Sequence, residues 1–134
     1  MDQNVETLEM LRQEYGAENI HCVENRMENL DPCVTGKFHY IYALNRLNEL
    51  HAPAARRLIT KLAARLHPGG SLLVSNLTPE ARDFGYLEET QWRPVCRAED
   101  EMARIANAIP DRDAIGHVIW RDESETIIYL EVQK

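Results

Sequence analysis

The side chains with the widest chemical reach are thinly spread in this sequence. His21, Cys22 and Cys33 form the one grouping of metal-ligand types. Neighbouring residues of an extended segment point to opposite faces, so His21 and Cys22 do not converge on one ion, and no fourth ligand stands near them. No metal site is expected. The three cysteines, Cys22, Cys33 and Cys96, include no C-x-x-C pair, and an odd, scattered set makes no disulfide framework. Reduced thiols follow. Arg97 has the planar fork that grips a carboxylate through two bonds; the competing reading is a surface ion pair with Glu99 or Asp100. Asn45 and Asn76 each lie just beyond a strand-like run. Either amide could position a substrate, while Asn45 reads equally as a helix cap and Asn76 as a turn-forming residue. No Ser-His-Asp or Cys-His arrangement is legible, and no residue is assigned as catalytic. G-x-G occurs nowhere; Gly69-Gly70 precedes a strand-like run, the wrong context for a dinucleotide-type loop.

The elements that must carry these residues follow from periodicity. Val5, Leu8, Leu11 and Tyr15 recur at helical spacing, with Asn4 as cap and Gly16 as stop. Asn19–Val23 reads as a short strand and Met27–Leu30 as a helical turn. Phe38–Ala43, rich in aromatic and β-branched residues, reads as a strand. Pro53 opens a helix running to Leu66, with Leu58, Ile59, Leu62, Ala63 and Leu66 as its apolar stripe. Pro68-Gly69-Gly70 stops it. Ser71–Ser75 is nearly all apolar, as in strands buried on both faces of a parallel sheet. A long loop covers Asn76 to Ala98. A helix follows over Glu99–Ile109, with Met102, Ile105, Ala106 and Ile109 inward. His117–Trp120 and Thr126–Val132 make two strands joined by a polar hairpin connection. Strand–helix alternation implies an α/β domain with a parallel sheet, and the final hairpin adds an antiparallel strand at or near one edge.

The 134 residues suit one domain, with 44% apolar and 28% charged residues. A net charge of −7 disfavours nucleic acid and anionic membrane surfaces as partners. No apolar run approaches the ~18 residues of a membrane span. The polar start Met1-Asp2-Gln3-Asn4 is unlike a secretory signal. A cytoplasmic location is expected.

Three segments resemble class I S-adenosylmethionine-dependent methyltransferases. Lys37–Ala43 looks like that family's fourth strand, with His39 where an acid is usual. Leu62–Asn76 (LAARLHPGGSLLVSN) is similar to its helix, Pro-Gly-Gly turn and fifth strand. Asn19–Leu30 resembles its third strand and the turn after it. The resemblance implies an α/β, incomplete doubly wound (Rossmann-like) sheet that lacks its first strand and ends in an antiparallel hairpin. A narrower resemblance joins Asn76, Thr78-Pro79, Tyr86-Leu87-Glu88, Trp92, Arg97, Ile109-Pro110 and Thr126–Val132. These look like bacterial methyltransferases of 3-hydroxy fatty-acid methyl ester biosynthesis, with Cys96 where tyrosine is usual.

By this resemblance the cofactor is S-adenosylmethionine. Asp2 stands where an acid ends the second strand and binds the ribose hydroxyls, with Gln3 beside it. Arg26 and Met27 occupy the adenine-side turn, where many relatives carry an acid. Ala43 and Leu44 end the fourth strand, where cofactor and acceptor meet, and Asn45, Asn76 and Arg97 fall on the acceptor side. Ligands of open α/β sheets do collect beyond the carboxyl ends of the strands. Methyl transfer from a sulfonium needs chiefly alignment of the two partners. A carboxylate acceptor is already ionised at neutral pH and needs no general base.

Without its first strand, such a sheet leaves backbone groups near Asn19–Val23 and Phe38–Ala43 unpaired. The expectation is a homo-oligomer, or a missing N-terminal segment, and weak or no cofactor binding by this chain alone. The leading reading is the C-terminal part of a methyltransferase acting on a small acidic or acyl acceptor. The alternative is a noncatalytic oligomerising module derived from that fold. A Rossmann oxidoreductase fragment fits less well, given the Pro-Gly-Gly turn and the closing hairpin.

Overall fold

Asn4 starts the first helix as its cap: its side-chain oxygen accepts the Thr7 amide at 3.2 Å, satisfying one of the free amides of the first turn. The computed structural model describes residues 1, 3–16, 23, 26–29, 34–83 and 91–134. The chain divides into two compact units, Met1–Gly36 and Lys37–Lys134. In the first, helix α1 spans Val5–Tyr15, and Gly16 ends it at φ 75°, a left-handed conformation that glycine adopts without a Cβ clash. Leu8 is its buried residue. Met27–Asn29 form one 3₁₀ turn. The strand expected over Asn19–Val23 lies, save Val23, outside the described residues.

The second unit holds strands β1 (Phe38–Ala43), β2 (Leu66–Leu77), β3 (Gly116–Arg121) and β4 (Ile127–Gln133), in the order β1-β2-β4-β3. β1 and β2 are parallel, and β4 runs antiparallel to both of its neighbours. The last strand therefore inserts between β2 and β3. Helix α2 (Ala52–Ala64) links β1 to β2, and α3 (Glu99–Ala106) lies between β2 and β3.

One face of the sheet is the core. Ala43, Leu72, Val74, Asn76, Ile128, Leu130 and Val132 are all buried there. The stripe Ala55, Leu58, Ile59, Leu62 and Ala63 of α2 and the stripe Met102, Ile105 and Ala106 of α3 are buried too, and the two helices pack on each other and on the sheet. The opposite face alternates with it and stays half open.

The helix expected to reach Ile109 closes at Ala106, and the loop expected from Asn76 begins only after Leu77 and holds a 3₁₀ helix over Pro79–Asp83. Two further differences shape the sheet. Leu66 opens β2 rather than ending α2: the helix closes at Arg65, whose amide turns back to Leu62 O at 3.0 Å. Pro68-Gly69-Gly70 does not precede the strand but lies inside it, as a bulge. Phe38 pairs with Leu66 and Tyr40 with Ser71, so four residues of β2 stand opposite His39. Gly69 takes φ 82°, and a Cβ on Gly70 would stand 2.9 Å from the carbonyl oxygens of both His39 and His67. The bulge is also tied to the last residue, through Gly69 N to Lys134 O at 2.7 Å and Lys134 N to Gly70 O at 3.0 Å. Ser71–Ser75 was expected to be buried on both faces; its parallel partner lies on one side only, and Ser71 and Leu73 are half-buried.

Candidate functional site

The chain leaves β1 at Ala43, which is buried, and passes through exposed Leu44 to Asn45. Asn45 sits at φ 59°, ψ 0°, a left-handed geometry that asparagine tolerates better than most residues. Ser75, near the end of β2, holds it there. Asn45 N donates to Ser75 Oγ at 2.8 Å, and Ser75 Oγ donates to Asn45 Oδ1 at 3.2 Å. The turn then enters a 3₁₀ helix over Arg46–Glu49. Ala43, Leu44 and Asn45 thus meet at the carboxyl ends of the two parallel strands. There Tyr42 and Leu44 are exposed and Ser75 is buried.

Asn76 and Arg97 are brought together, but on the other face and for another purpose. Asn76 points among the helices, fully buried. Its Nδ2 donates to Val95 O at 2.8 Å and to Leu77 O at 2.9 Å, and its Oδ1 accepts Arg97 Nη1 at 2.7 Å. The same Nη1 donates to Leu47 O at 2.7 Å, and Nη2 donates to Leu50 O. Asn48, also buried, accepts Leu77 N on its side chain at 2.8 Å. The guanidinium therefore laces the turn after β1 to the end of β2. Burial pushes its pKa down from the ordinary arginine value, while Glu101 and Cys96 oppose the fall; the group stays charged at neutral pH. The alternative ion pair with Glu99 or Asp100 is not formed. Both carboxylates stand on the outer side of α3, where Glu99 pairs with Arg121 at 2.8 Å and Asp100 with Arg104 at 2.8 Å.

Gln3 and Arg26 are exposed and Met27 is half-buried, all three in the Met1–Gly36 unit. Asp2, like His21, Cys22 and Cys33, lies outside the described residues. Ser75 is the residue that sequence reasoning missed. Its signal was available: strand side chains alternate, so Ser75 and Asn76 must serve opposite faces, and only one of them can look toward the turn after β1.

The strand ends offer amides, a hydroxyl and a small buried residue. That set can orient a ligand through hydrogen bonds. It does not by itself fit S-adenosylmethionine, whose ribose and charged amino-acid end need further donors and acceptors.

The arrangement of β1 to β4 with α2 and α3 is the fold of class I methyltransferases. A protein of Bordetella parapertussis described as a possible exported protein matches 98% of this chain and 51% of its own, at 15% identity and a TM-score of 0.77. An O-methyltransferase family protein from Burkholderia thailandensis matches 94% of this chain and 39% of its own, at 16% identity and a TM-score of 0.66. The N-methyltransferase NodS of Bradyrhizobium japonicum, in complex with S-adenosyl-L-homocysteine, matches 99% and 64%, at 15% identity and a TM-score of 0.65. The chain thus spans from about two-fifths to just under two-thirds of these proteins. No protein-family model matches it, and no curated protein matches it in sequence. No helix among the described residues is long and apolar enough to cross a membrane.

Proposed function

We propose that this chain is the C-terminal part of an S-adenosylmethionine-dependent methyltransferase acting on a small acidic or acyl acceptor in the cytoplasm, and that it is inactive alone. One observation carries the reading: a parallel β1–β2 pair, with β4 inserted antiparallel beside it, opens its carboxyl ends at Ala43, Leu44 and Asn45. Open α/β sheets bind ligands at that end, and the matched methyltransferases share the architecture. In this reading Ser75 sets the angle of Asn45, Asn45 orients the acceptor, and Leu44 and Tyr42 border it. The 3-hydroxy fatty-acid acceptor rests on the sequence resemblance of the C-terminal half.

The absence of any G-x-G segment supports inactivity, since such a loop brings backbone amides against the charged parts of a nucleotide-like cofactor. Calorimetry should return a dissociation constant for S-adenosylmethionine weaker than roughly 10 μM, about −7 kcal/mol. At millimolar cofactor, amide shifts in NMR spectra should move at Ala43, Leu44, Asn45 and Ser75. Shifts confined to other residues, or none, would favour a noncatalytic module built on the same fold.

A further inference from the structure

β1 and β2 bring two histidines into contact at the end of the sheet opposite Asn45. His39, near the start of β1, is exposed, and His67, near the start of β2, is half-buried. Their rings stack with centroids 4.6 Å apart and planes inclined by 29°. The bulge makes the pair. Phe38 pairs with Leu66 and Tyr40 with Ser71, so the segment from His67 to Gly70 stands opposite His39. Both backbones are fastened there. Phe38 N donates to Arg65 O at 2.8 Å, and Gly69 N donates to Lys134 O at 2.7 Å. Gly70 fits between the His39 and His67 carbonyls because it has no Cβ. Bulges re-aim side chains and are enriched beside functional sites. Among the described residues, neither imidazole takes part in a hydrogen bond or an ion pair. A neutral imidazole keeps one nitrogen lone pair, so two lone pairs are available side by side.

We infer that His39 and His67 form a two-histidine site for a divalent ion of the late first transition row, Ni²⁺ or Cu²⁺. No third His, Cys, Asp or Glu joins them among the described residues, so water completes the coordination. The centroid separation carries the assignment. Metal–nitrogen bonds of about 2.0–2.1 Å put each ring centroid roughly 3.2 Å from the ion. Two imidazoles at a right angle around it then stand about 4.5 Å apart, and two at the tetrahedral angle about 5.2 Å. The observed 4.6 Å matches the right angle. Right-angled neighbours belong to tetragonal Cu²⁺ and Ni²⁺ and not to tetrahedral zinc, and imidazole suits both ions. The two ring planes must turn for both nitrogens to aim at one ion. Rotation about Cβ–Cγ does this and leaves the centroid in place, since that axis passes close to the ring centre, and this torsion is soft in histidine. Lys37 and Arg65 flank the pair along the chain and oppose a dication, which keeps the affinity modest. The inference is independent of methyl transfer, because the pair lies at the other end of the strands.

The probe is Ni²⁺ alone, added to the full chain with its thiols kept reduced. Calorimetry gives the affinity, and paramagnetic broadening of histidine ring protons in NMR spectra gives the location. A dissociation constant tighter than about 100 μM is expected, with the His39 and His67 rings broadening first and together. His39→Gln and His67→Gln should each weaken binding at least about tenfold, and the double variant no further, because a chelate is lost with either ligand. His39 is exposed, so His39→Gln carries the test if His67→Gln does not fold; circular dichroism checks the fold of each. Three results would overturn the inference. The first is a dissociation constant weaker than about 100 μM. The second is broadening shared equally with His51 and His117, which marks solitary histidines. The third is an affinity that neither substitution changes, which gives the ion to the cysteines.

Discussion

Ser75 and Asn45 hold each other across the ends of the two parallel strands, through a backbone amide at 2.8 Å and a side-chain oxygen at 3.2 Å. The serine fixes the residue that follows β1 in a left-handed conformation, and so determines how the chain leaves the sheet at the point where ligands of this architecture collect.

Two substitutions separate the backbone and side-chain parts of that relationship. Asn45 lies at φ 59°, where a Cβ without local hydrogen bonding costs about 1–2 kcal/mol. Asn45→Ala should therefore destabilise more than Asn45→Gly, by about 1 kcal/mol, in urea denaturation. Equal losses would show that the conformation is not strained for alanine.

Arg97 is a structural tie. Its removal leaves Asn76 Oδ1 and the Leu50 carbonyl without their donor, while the Leu47 carbonyl keeps the Leu50 amide at 3.1 Å. Buried acceptors left unsatisfied cost about 1–3 kcal/mol each. Arg97→Met should lose about 3 kcal/mol or more in chemical denaturation. A loss below about 1 kcal/mol would return Arg97 to the list of groups available for a carboxylate.

Leu62 is 3% exposed between α2 and the core face. Leu62→Ala should cost roughly 2–5 kcal/mol, the range for a buried leucine whose cavity does not collapse. Thermal melts followed at 222 nm measure it, and a loss under about 0.5 kcal/mol would mean that α2 does not pack as described.

The β3–β4 hairpin should weaken in acid. Asp122 accepts the Ser124 hydroxyl at 2.7 Å and the Ile127 and Thr126 amides at 3.0 and 2.9 Å. These bonds hold its carboxyl below the usual aspartate range. A depressed folded-state pKa means that the stabilisation is complete above the unfolded value, about 3.9, and is lost as pH falls through the lower folded value. Asp122→Asn should remove this part of the acid dependence. Amide exchange of Ile127 between pH 5 and pH 2 in the two proteins reports it directly.

Much of the fold is local and was legible. α1 begins and ends where Asn4 and Gly16 place it, because a cap oxygen and a left-handed glycine act within one turn. β1 occupies Phe38–Ala43 as its aromatic and β-branched residues imply. Met102, Ile105 and Ala106 of α3 face inward as the spacing predicts, and Ile109 is buried just past the helix end. The boundary at Leu66 was not legible. Its side chain continues the apolar rhythm of α2, yet its backbone pairs with Phe38, a residue far back in the chain.

Of the candidate residues, position in the chain was legible and orientation was not. Chain order alone identified the turn after β1 and the end of β2 as places to look. It did not reveal that Asn76 faces the helices while Ser75 faces Asn45, nor that Arg97 turns inward.

The sequence by itself determined the central parts of α1, β1, α2, α3, β3 and β4, where the first helix is capped, and that no G-x-G segment is encoded. These depend on residue type and on spacings of a few positions. Only the tertiary structure decided that β4 enters between β2 and β3, that Pro-Gly-Gly becomes a bulge tied to Lys134, and that Arg97 binds Leu47, Leu50 and Asn76. The reason is that each depends on which backbone amides and carbonyls find partners across long stretches of chain. Burial settles that pairing for the sheet as a whole.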